Sequence, residues 1–254
     1  MRAVTIDALR VVIGDDLDDM ARAAARDAGS VLRDAIAARG EANVMLATGN
    51  SQLTFLTALV AEPGVEWSRV RAFHMDEYVG LPPTHPASFQ RYMRQRVAAL
   101  VPLKEFHYLT GDTGDAAAEA DRYAALLREH PLDVCCCGIG ENGHLAFNDP
   151  PFADFDDPAD VKIVALDEAS RHQQVGEGHF AALGDVPTHA ITVTIPALLR
   201  AGRVLAIVPE ARKARPVHDA LYRPITTACP ASILRQQAHA TLYLDDASSA
   251  LLEA

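Results

Sequence analysis

The chain has 254 residues, 49% of them hydrophobic and 22% charged, the make-up of a folded globular protein and not of a disordered or collagen-like one. Its 23 Lys and Arg against 34 Asp and Glu leave a net charge of −11, which argues against a nucleic-acid or anionic-lipid partner recognised through a broad positive field. No apolar run reaches the roughly 18 residues of a membrane span, and the first nine residues carry Asp7 with no long apolar stretch, so neither a membrane segment nor a signal peptide is expected and the expected location is the cytoplasm.

A first strand is expected within the first dozen residues. Asp15 and Asp16 suit a helix N-terminus, and Leu17, Met20, Ala24, Val31 and Leu32 recur behind them at helical spacing. Residues 44–47 read as a buried strand, 52–61 as a helix and 70–74 as a second strand. Ser88 can cap a helix running to about residue 100. A short strand at 106–109 and a helix at 116–129 follow. Residues 132–137, 161–166, 190–194 and 204–208 are strongly apolar strands, 211–221 is helical, and 241–244 is a last strand. This alternation predicts an α/β fold with a mostly parallel sheet covered by helices on both faces. With no internal repeat, low-complexity tract or linker, residues 1–254 read as one domain.

Cys135, Cys136 and Cys137 are consecutive in an apolar run, and Cys229 stands apart. Neighbouring strand residues point to opposite faces and do not bridge easily, and no C-x-x-C pair supports zinc or thioredoxin-like chemistry. Buried reduced thiols are expected, and no metal site.

In open parallel sheets a ligand lies beyond the carboxyl ends of the strands, so the loops that follow strands carry the information. In Thr48-Gly49-Asn50-Ser51, Gly49 permits a tight turn and three short side chains offer donors ahead of a helix N-terminus. That suits a phosphate, although a plain capped turn has the same look. In His74-Met75-Asp76-Glu77-Tyr78, alternation sends the two carboxylates to opposite sides, so one of them can face a pocket. A carboxylate at a strand tip suits a general base, and a solvated acidic turn is the plain alternative. Gly138-Ile139-Gly140-Glu141-Asn142-Gly143-His144 contains G-x-G-x-x-G, and Asp167 lies where a dinucleotide-binding acid would. Asn148-Asp149-Pro150-Pro151, however, breaks any helix almost at once, whereas that fingerprint needs a long one. An imidazole, an amide and a carboxylate in one loop look more like catalytic groups, beside the plain reading of His144 as a hydrogen-bonded loop histidine.

Taken together, these stretches resemble the glucosamine-6-phosphate deaminase family, in Phe73-His74-Met75-Asp76-Glu77-Tyr78-Val79-Gly80-Leu81 and in Gly138-Ile139-Gly140-Glu141-Asn142-Gly143-His144-Leu145-Ala146-Phe147-Asn148-Asp149-Pro150. The resemblance runs from about residue 44 to 252. It implies a Rossmann-like three-layer α/β/α sandwich and conversion of glucosamine 6-phosphate to fructose 6-phosphate and ammonia, in amino-sugar catabolism, by a hydrolase/isomerase that needs no cofactor. By motif, Asp76 is the base between C2 and C1 and His144 helps open the sugar ring. Asn142 stands at the ring-opening carboxylate position. Asp149 stands where the family has Glu, one methylene shorter, so the loop must shift or a water intervene. Thr48, Gly49, Asn50, Ser51, Gly143 and Lys213 are implied to hold the substrate and its phosphate. Arg171 is the nearest counterpart of the family's phosphate-binding arginine, although its spacing to Phe180 differs.

The family's usual T-G-G-T-P is Thr48-Gly49-Asn50-Ser51-Gln52 here, and its lysine-threonine lid motif is not visible, so activation by N-acetylglucosamine 6-phosphate is not expected. A homo-oligomer is left open. The alternatives are a 6-phosphogluconolactonase-like hydrolase, a non-catalytic sugar-phosphate binder, and a nicotinamide-dependent dehydrogenase. The last depends on Gly143 starting a long helix.

Overall fold

The computed structural model describes every residue except Asp167, Glu177, His179 and Ala254, and every side chain of the rest except those of Ala169, Ser170 and Gln173. A hairpin of β1 (Arg2–Ile6) and β2 (Leu9–Ile13) opens the chain. In the long helix α1 (Leu17–Arg39), the Asp16 side chain accepts from the Asp19 N–H at the start, and Gly40 adopts φ of 83° at the end. These are the side-chain cap and the left-handed stop that free helix termini need. Next come β3 (Ala42–Leu46), α2 (Leu53–Val60), β4 (Val70–His74), β5 (Asp76–Tyr78), α3 (Phe89–Met93), β6 (Glu105–His107) and α4 (Ala116–Glu129). The second half holds β7 (Val134–Cys137), β8 (Val161–Ala165), α5 (Glu168–Gly176), β9 (His189–Val193), α6 (Ile195–Leu199), β10 (Arg203–Val208), α7 (Ala214–Tyr222) and β11 (Ala240–Leu244).

The main sheet has the order β1-β2-β11-β10-β7-β3-β4-β6, parallel throughout apart from the antiparallel edge strand β1. Its apolar runs are buried on both faces, and alternate residues enter different cores. Cys135 and Cys137 pack with Tyr123, Leu198 and Val217 from α4, α6 and α7. Cys136 packs with Met20, Leu32, Phe55 and Met93 from α1, α2 and α3. This is the expected three-layer arrangement. The three consecutive thiols are buried, Cys229 is half-buried, and all four are free. Among the described residues no helix is long and apolar enough to cross a membrane.

Two stretches leave the expected sheet. Residues 161–166 and 190–194 do not join it; β8 and β9 pair with β5 in a separate antiparallel sheet of order β5-β9-β8. A parallel neighbour needs a crossover, most often a helix, and residues 138–160 run through turns and bends instead. β8 also exposes Ile163, whereas β7 is buried along its whole length. The expected helix from Ser88 to about residue 100 is α3 continued by a π-helical turn over Arg94–Ala98.

The strand order positions the site. From β3 the chain steps outward to β4 and β6, then returns to β7 on the other side of β3 and continues to β10 and β11. The loops after β3 and β7 therefore diverge from neighbouring strands. That topological switch point is where a parallel sheet leaves a crevice at its carboxyl edge.

One buried phenol holds the end of β4. The Tyr123 hydroxyl accepts from the His74 N–H at 3.1 Å and donates toward the carbonyls of His74 (2.7 Å) and His107 (3.1 Å). Tyr123→Phe leaves these buried backbone groups short of a partner. It should cost about 1–3 kcal/mol, read as a lower urea midpoint at unchanged slope.

Candidate active site

A cleft at the switch point, with about 650 Å³ of empty space, is lined by residues from the ends of β3, β4, β7 and β10. From the β3 side come Thr48, Gly49, Asn50 and Ser51. Gly49 has φ of 106°, while Asn50 to Gln52 form a single 3-10 turn that leads into α2. Only Gly49 needs the left-handed region, so a second glycine at Asn50 is not required. The Tyr92 hydroxyl donates to the Gly49 carbonyl at 2.9 Å and fixes the turn from α3. Behind it Gln52 is buried, and its amide donates to the Ile207 carbonyl at 3.0 Å. Lys213 reaches the same cleft from the 3-10 turn Ala211–Lys213 and is itself buried. That turn follows Glu210, a non-glycine at φ of 81° whose N–H donates to the Asp245 carboxylate at 3.1 Å. Arg212 pairs with Glu210 at 2.6 Å and with Glu141 at 3.2 Å, tying the lysine turn to the histidine loop.

Asp76 sits where the chain leaves the main sheet. Met75 separates β4 from β5, its carbonyl accepts from the Val193 N–H at 2.8 Å, and Asp76 pairs in register with Thr192. Asp76 lines the cleft, while Glu77 turns to the other side. Asp76 is buried, and its Oδ1 has no hydrogen-bond partner among the described residues. Burial, and then the negative charges of Glu77 and Asp149, push its pKa up to about 8, since each disfavours the carboxylate form.

The loop after β7 is fastened to the second sheet. The Asn148 amide donates to the carbonyls of Leu145 (2.8 Å) and Val193 (2.9 Å), and the Phe147 N–H donates to Thr192 Oγ1 at 3.1 Å. Asp149, fully buried, lies 2.9 Å from His144 Nδ1 through Oδ1 and accepts the Asn142 amide at 2.8 Å on the same oxygen. Asn142 Oδ1 in turn accepts the His144 N–H at 3.1 Å. A carboxylate acceptor places the proton on Nδ1, which leaves Nε2 for chemistry. Gly140 makes room for the ring: a Cβ there would lie 2.2 Å from His144 Nε2. The shorter Asp149 reaches the imidazole directly, so no bridging water is needed.

The cleft brings together Thr48, Gly49, Asn50, Ser51, Asp76, His144 and Lys213, with Asn142 and Asp149 behind the imidazole. It does not bring in Gly143 or Arg171. Gly143 shapes the turn: it has φ of 84°, its carbonyl accepts from the Ala231 N–H at 2.8 Å, and a Cβ would meet Cys229 Sγ at 2.7 Å. Arg171 is turned away, its guanidinium donating to the carbonyls of Leu183 (2.7 Å) and Val186 (3.1 Å). Asp167 lies outside the described residues. No helix follows Gly143, since residues 141–150 run through turns and a single bridge. The dinucleotide reading loses the dipole it needs. Gln52, Phe89, Phe147 and Gln174 also line the cleft, and the sequence reading missed them. A glutamine directly after a Thr-Gly-Asn-Ser turn was the available signal for Gln52. Among the described residues no group of three or more His, Cys, Asp and Glu could hold a metal ion.

Residues 15–243 match the sequence profile of a family described as glucosamine-6-phosphate isomerases/6-phosphogluconolactonase. The chain is 38% identical over 209 residues to a glucosamine-6-phosphate deaminase of Exiguobacterium sibiricum, covering 82% of this chain and 80% of that one. It is 32% identical over 226 residues to a deaminase of the same description from Streptococcus equi subsp. zooepidemicus, covering 88% and 93%. Among solved structures it is similar to a monomeric glucosamine-6-phosphate deaminase, with a TM-score of 0.87 and 25% identity over 95% of this chain and 99% of the other. The 6-phosphogluconolactonase of Trypanosoma brucei matches with a TM-score of 0.76 and 16% identity over 99% and 100%, a likeness of fold alone.

The raised proton affinity of Asp76 has a thermodynamic consequence. Between the ordinary carboxylate value of about 4 and the folded value, the folded protein keeps a proton that the unfolded chain releases, so this group makes stability fall as pH rises. Asp76→Asn has no charge to bury. Its melting temperature should match that of the parent near pH 4, exceed it increasingly toward pH 8, and hold a constant lead above that. A lead that does not change with pH would rule out a proton on Asp76 as the cause.

Proposed function

The chain belongs to the family of glucosamine-6-phosphate isomerases and 6-phosphogluconolactonases, and we propose that it isomerises and deaminates glucosamine 6-phosphate to fructose 6-phosphate and ammonia. The observation that carries this reading is a single dry carboxylate, Asp76, in one cleft with an imidazole and an anion cradle. Moving a proton between adjacent carbons needs one base that can take it and give it back.

The phosphate lies on the N–H groups and short side chains of Thr48 to Ser51, with Lys213 as the point cation. His144 takes the O1 proton and returns one to O5 as the C1–O5 bond breaks, giving the open aldehyde. Asp149 and Asn142 keep the ring oriented and stabilise its charged form. Asp76 then removes the C2 proton; the C2–H electrons form the C1=C2 bond, the C1=O1 π electrons move to O1, and O1 takes a proton from the C2 ammonium to give an enol with a neutral amine at C2. The same carboxyl protonates C1 as the lone pair of the neutral amine forms the C2=N bond, leaving an iminium at C2. Water adds at C2, ammonia leaves, and a ketone remains. One water is consumed, so the isomerisation ends in hydrolysis of a carbon–nitrogen bond. No redox or prosthetic group enters these steps. Residues 1–254 act as one domain in this reading, on a small phosphorylated sugar of the cytoplasm.

The substrate also sets the base. Its C2 ammonium lies beside Asp76, and opposite charges about 4 Å apart attract by roughly 4 kcal/mol at an intermediate dielectric. That attraction offsets burial and the neighbouring carboxylates, so Asp76 ionises as the substrate binds.

Release of ammonia from glucosamine 6-phosphate, without hydrolysis of 6-phosphogluconolactone, is the expected assay result; the reverse pattern would replace this reading with the lactonase one. In kcat/KM the limb reporting Asp76 should lie near pH 8, and in kcat it should move to lower pH. Asp76→Asn should slow C2 hydrogen exchange in deuterated water about 10²–10⁴-fold. Asp149→Glu adds a methylene to a fully buried site. An overpacking cost of about 1–3 kcal/mol, relieved by displacing the imidazole, should cut the rate from the closed ring about fivefold or more, and a gain would mean the pocket is built for the longer acid.

A further inference from the structure

Glu77 is a buried carboxylate that the proposed chemistry does not use. It neighbours Asp76 on β5 and faces the opposite side of the strand. It is 1% exposed. Its Oε1 accepts the N–H groups of Tyr78 (2.9 Å) and Phe89 (3.2 Å), and its Oε2 accepts the Ser88 hydroxyl (2.8 Å) and the Gln90 N–H (2.9 Å). Three of these donors belong to the start of α3, where Ser88 caps the Arg91 N–H and Phe89 lines the cleft. Burial raises the proton affinity of Glu77, and these four hydrogen bonds oppose the rise. A carboxyl with two donors on each oxygen is held as the carboxylate, since a protonated one would have to donate in turn.

We infer that Glu77 is a positioning residue for the base: it pins β5 to the first turn of α3, fixes Asp76 at the cleft wall, and keeps a negative charge directly behind it. The inference deepens the proposed function and rests on it for the role of Asp76. In the empty cleft that charge adds to burial in holding a proton on Asp76; when a cationic substrate enters, it leaves Asp76 a strong base. The other ionisable groups around Asp76 do different work. Asp149, the weaker of the two carboxylate influences, is engaged by Asn142 and His144. His144 and Lys213 line the cleft. His74, the last residue of β4, is neutral: burial pulls its pKa down to about 3, and its Nε2 accepts the Leu109 N–H at 2.8 Å.

The test is a carboxyl-carbon NMR titration of the protein without substrate, joined to pH–rate profiles. In Glu77→Gln the Asp76 midpoint should fall by about one pH unit, a tenfold change in proton affinity, and the acid limb of kcat/KM should fall with it. Glu77→Asp keeps the charge and should keep the midpoint even where the rate drops. A Glu77→Gln protein slowed equally at every pH, with the Asp76 midpoint unmoved, would reduce Glu77 to a packing role and overturn the inference. Should that variant not fold, the parent decides: Glu77 must ionise at lower pH than Asp76, and the opposite order overturns the inference. Because the titration uses no substrate, a parent protein inactive on glucosamine 6-phosphate would sink the proposed function and still leave the Glu77 question answerable.

Discussion

The site depends on keeping one carboxyl group dry at a place where the backbone changes sheets. A solvated Asp76 would ionise in the ordinary carboxylate range and hold protons too weakly for the exchange with carbon proposed above. The chain prevents solvation by turning out of the parallel sheet at Met75 and pairing the next three residues with β9. A regular continuation of β4 would carry Asp76 past the sheet edge into solvent. The small antiparallel sheet is therefore the wall that excludes water from Asp76, and the Tyr78, Phe89, Phe147 and Phe180 cluster behind it extends that wall.

The same device joins elements far apart in sequence. Thr192 pairs with Asp76 along the strand and receives the Phe147 N–H through its hydroxyl. Val193 supplies its N–H to Met75 and its carbonyl to Asn148. Two residues of β9 thus set the distance between Asp76 and the histidine loop. Lys213 is placed by other means, through the left-handed Glu210 and the Arg212 pairs to Glu210 and Glu141. A non-glycine residue in that region stores strain, which persists only where the surroundings over-determine it; here the Asp245 carboxylate holds the strained N–H.

Much of this was legible from local pattern. Gly49 and Asp76 stand just beyond the ends of β3 and β4, His144 and Asp149 lie in the loop that follows β7, and strand ends follow from short apolar runs. The Asp76–Glu77 alternation correctly separated the two side chains. Pairing partners were not legible. Residues 161–166 and 190–194 have the β-branched, apolar character of main-sheet strands, and only the missing crossover helix after β7 sets them apart. Arg171 was misplaced for a related reason: a guanidinium satisfies backbone carbonyls as readily as a phosphate, and which one it meets depends on how α5 packs against Leu183–Asp185. Gly143 was assigned to the ligand through the family resemblance, whereas the constraint visible at that residue is the Cys229 thiol.

The histidine loop shows why Asn142 and Asp149 belong together. Asn142 donates to the oxygen of Asp149 that also faces His144 Nδ1, and it accepts the backbone N–H of His144. An aspartate at 142 would set carboxylate against carboxylate at 2.8 Å, and one of them would have to hold a proton. It would also add a charge to a cleft where Glu77 and Asp149 already bear on Asp76, raising the proton affinity of Asp76 further. With the amide at 142, a single carboxylate orients the imidazole, and the shorter Asp149 brings it to 2.9 Å. The amide thereby adds no negative charge to the two carboxylates that already bear on Asp76.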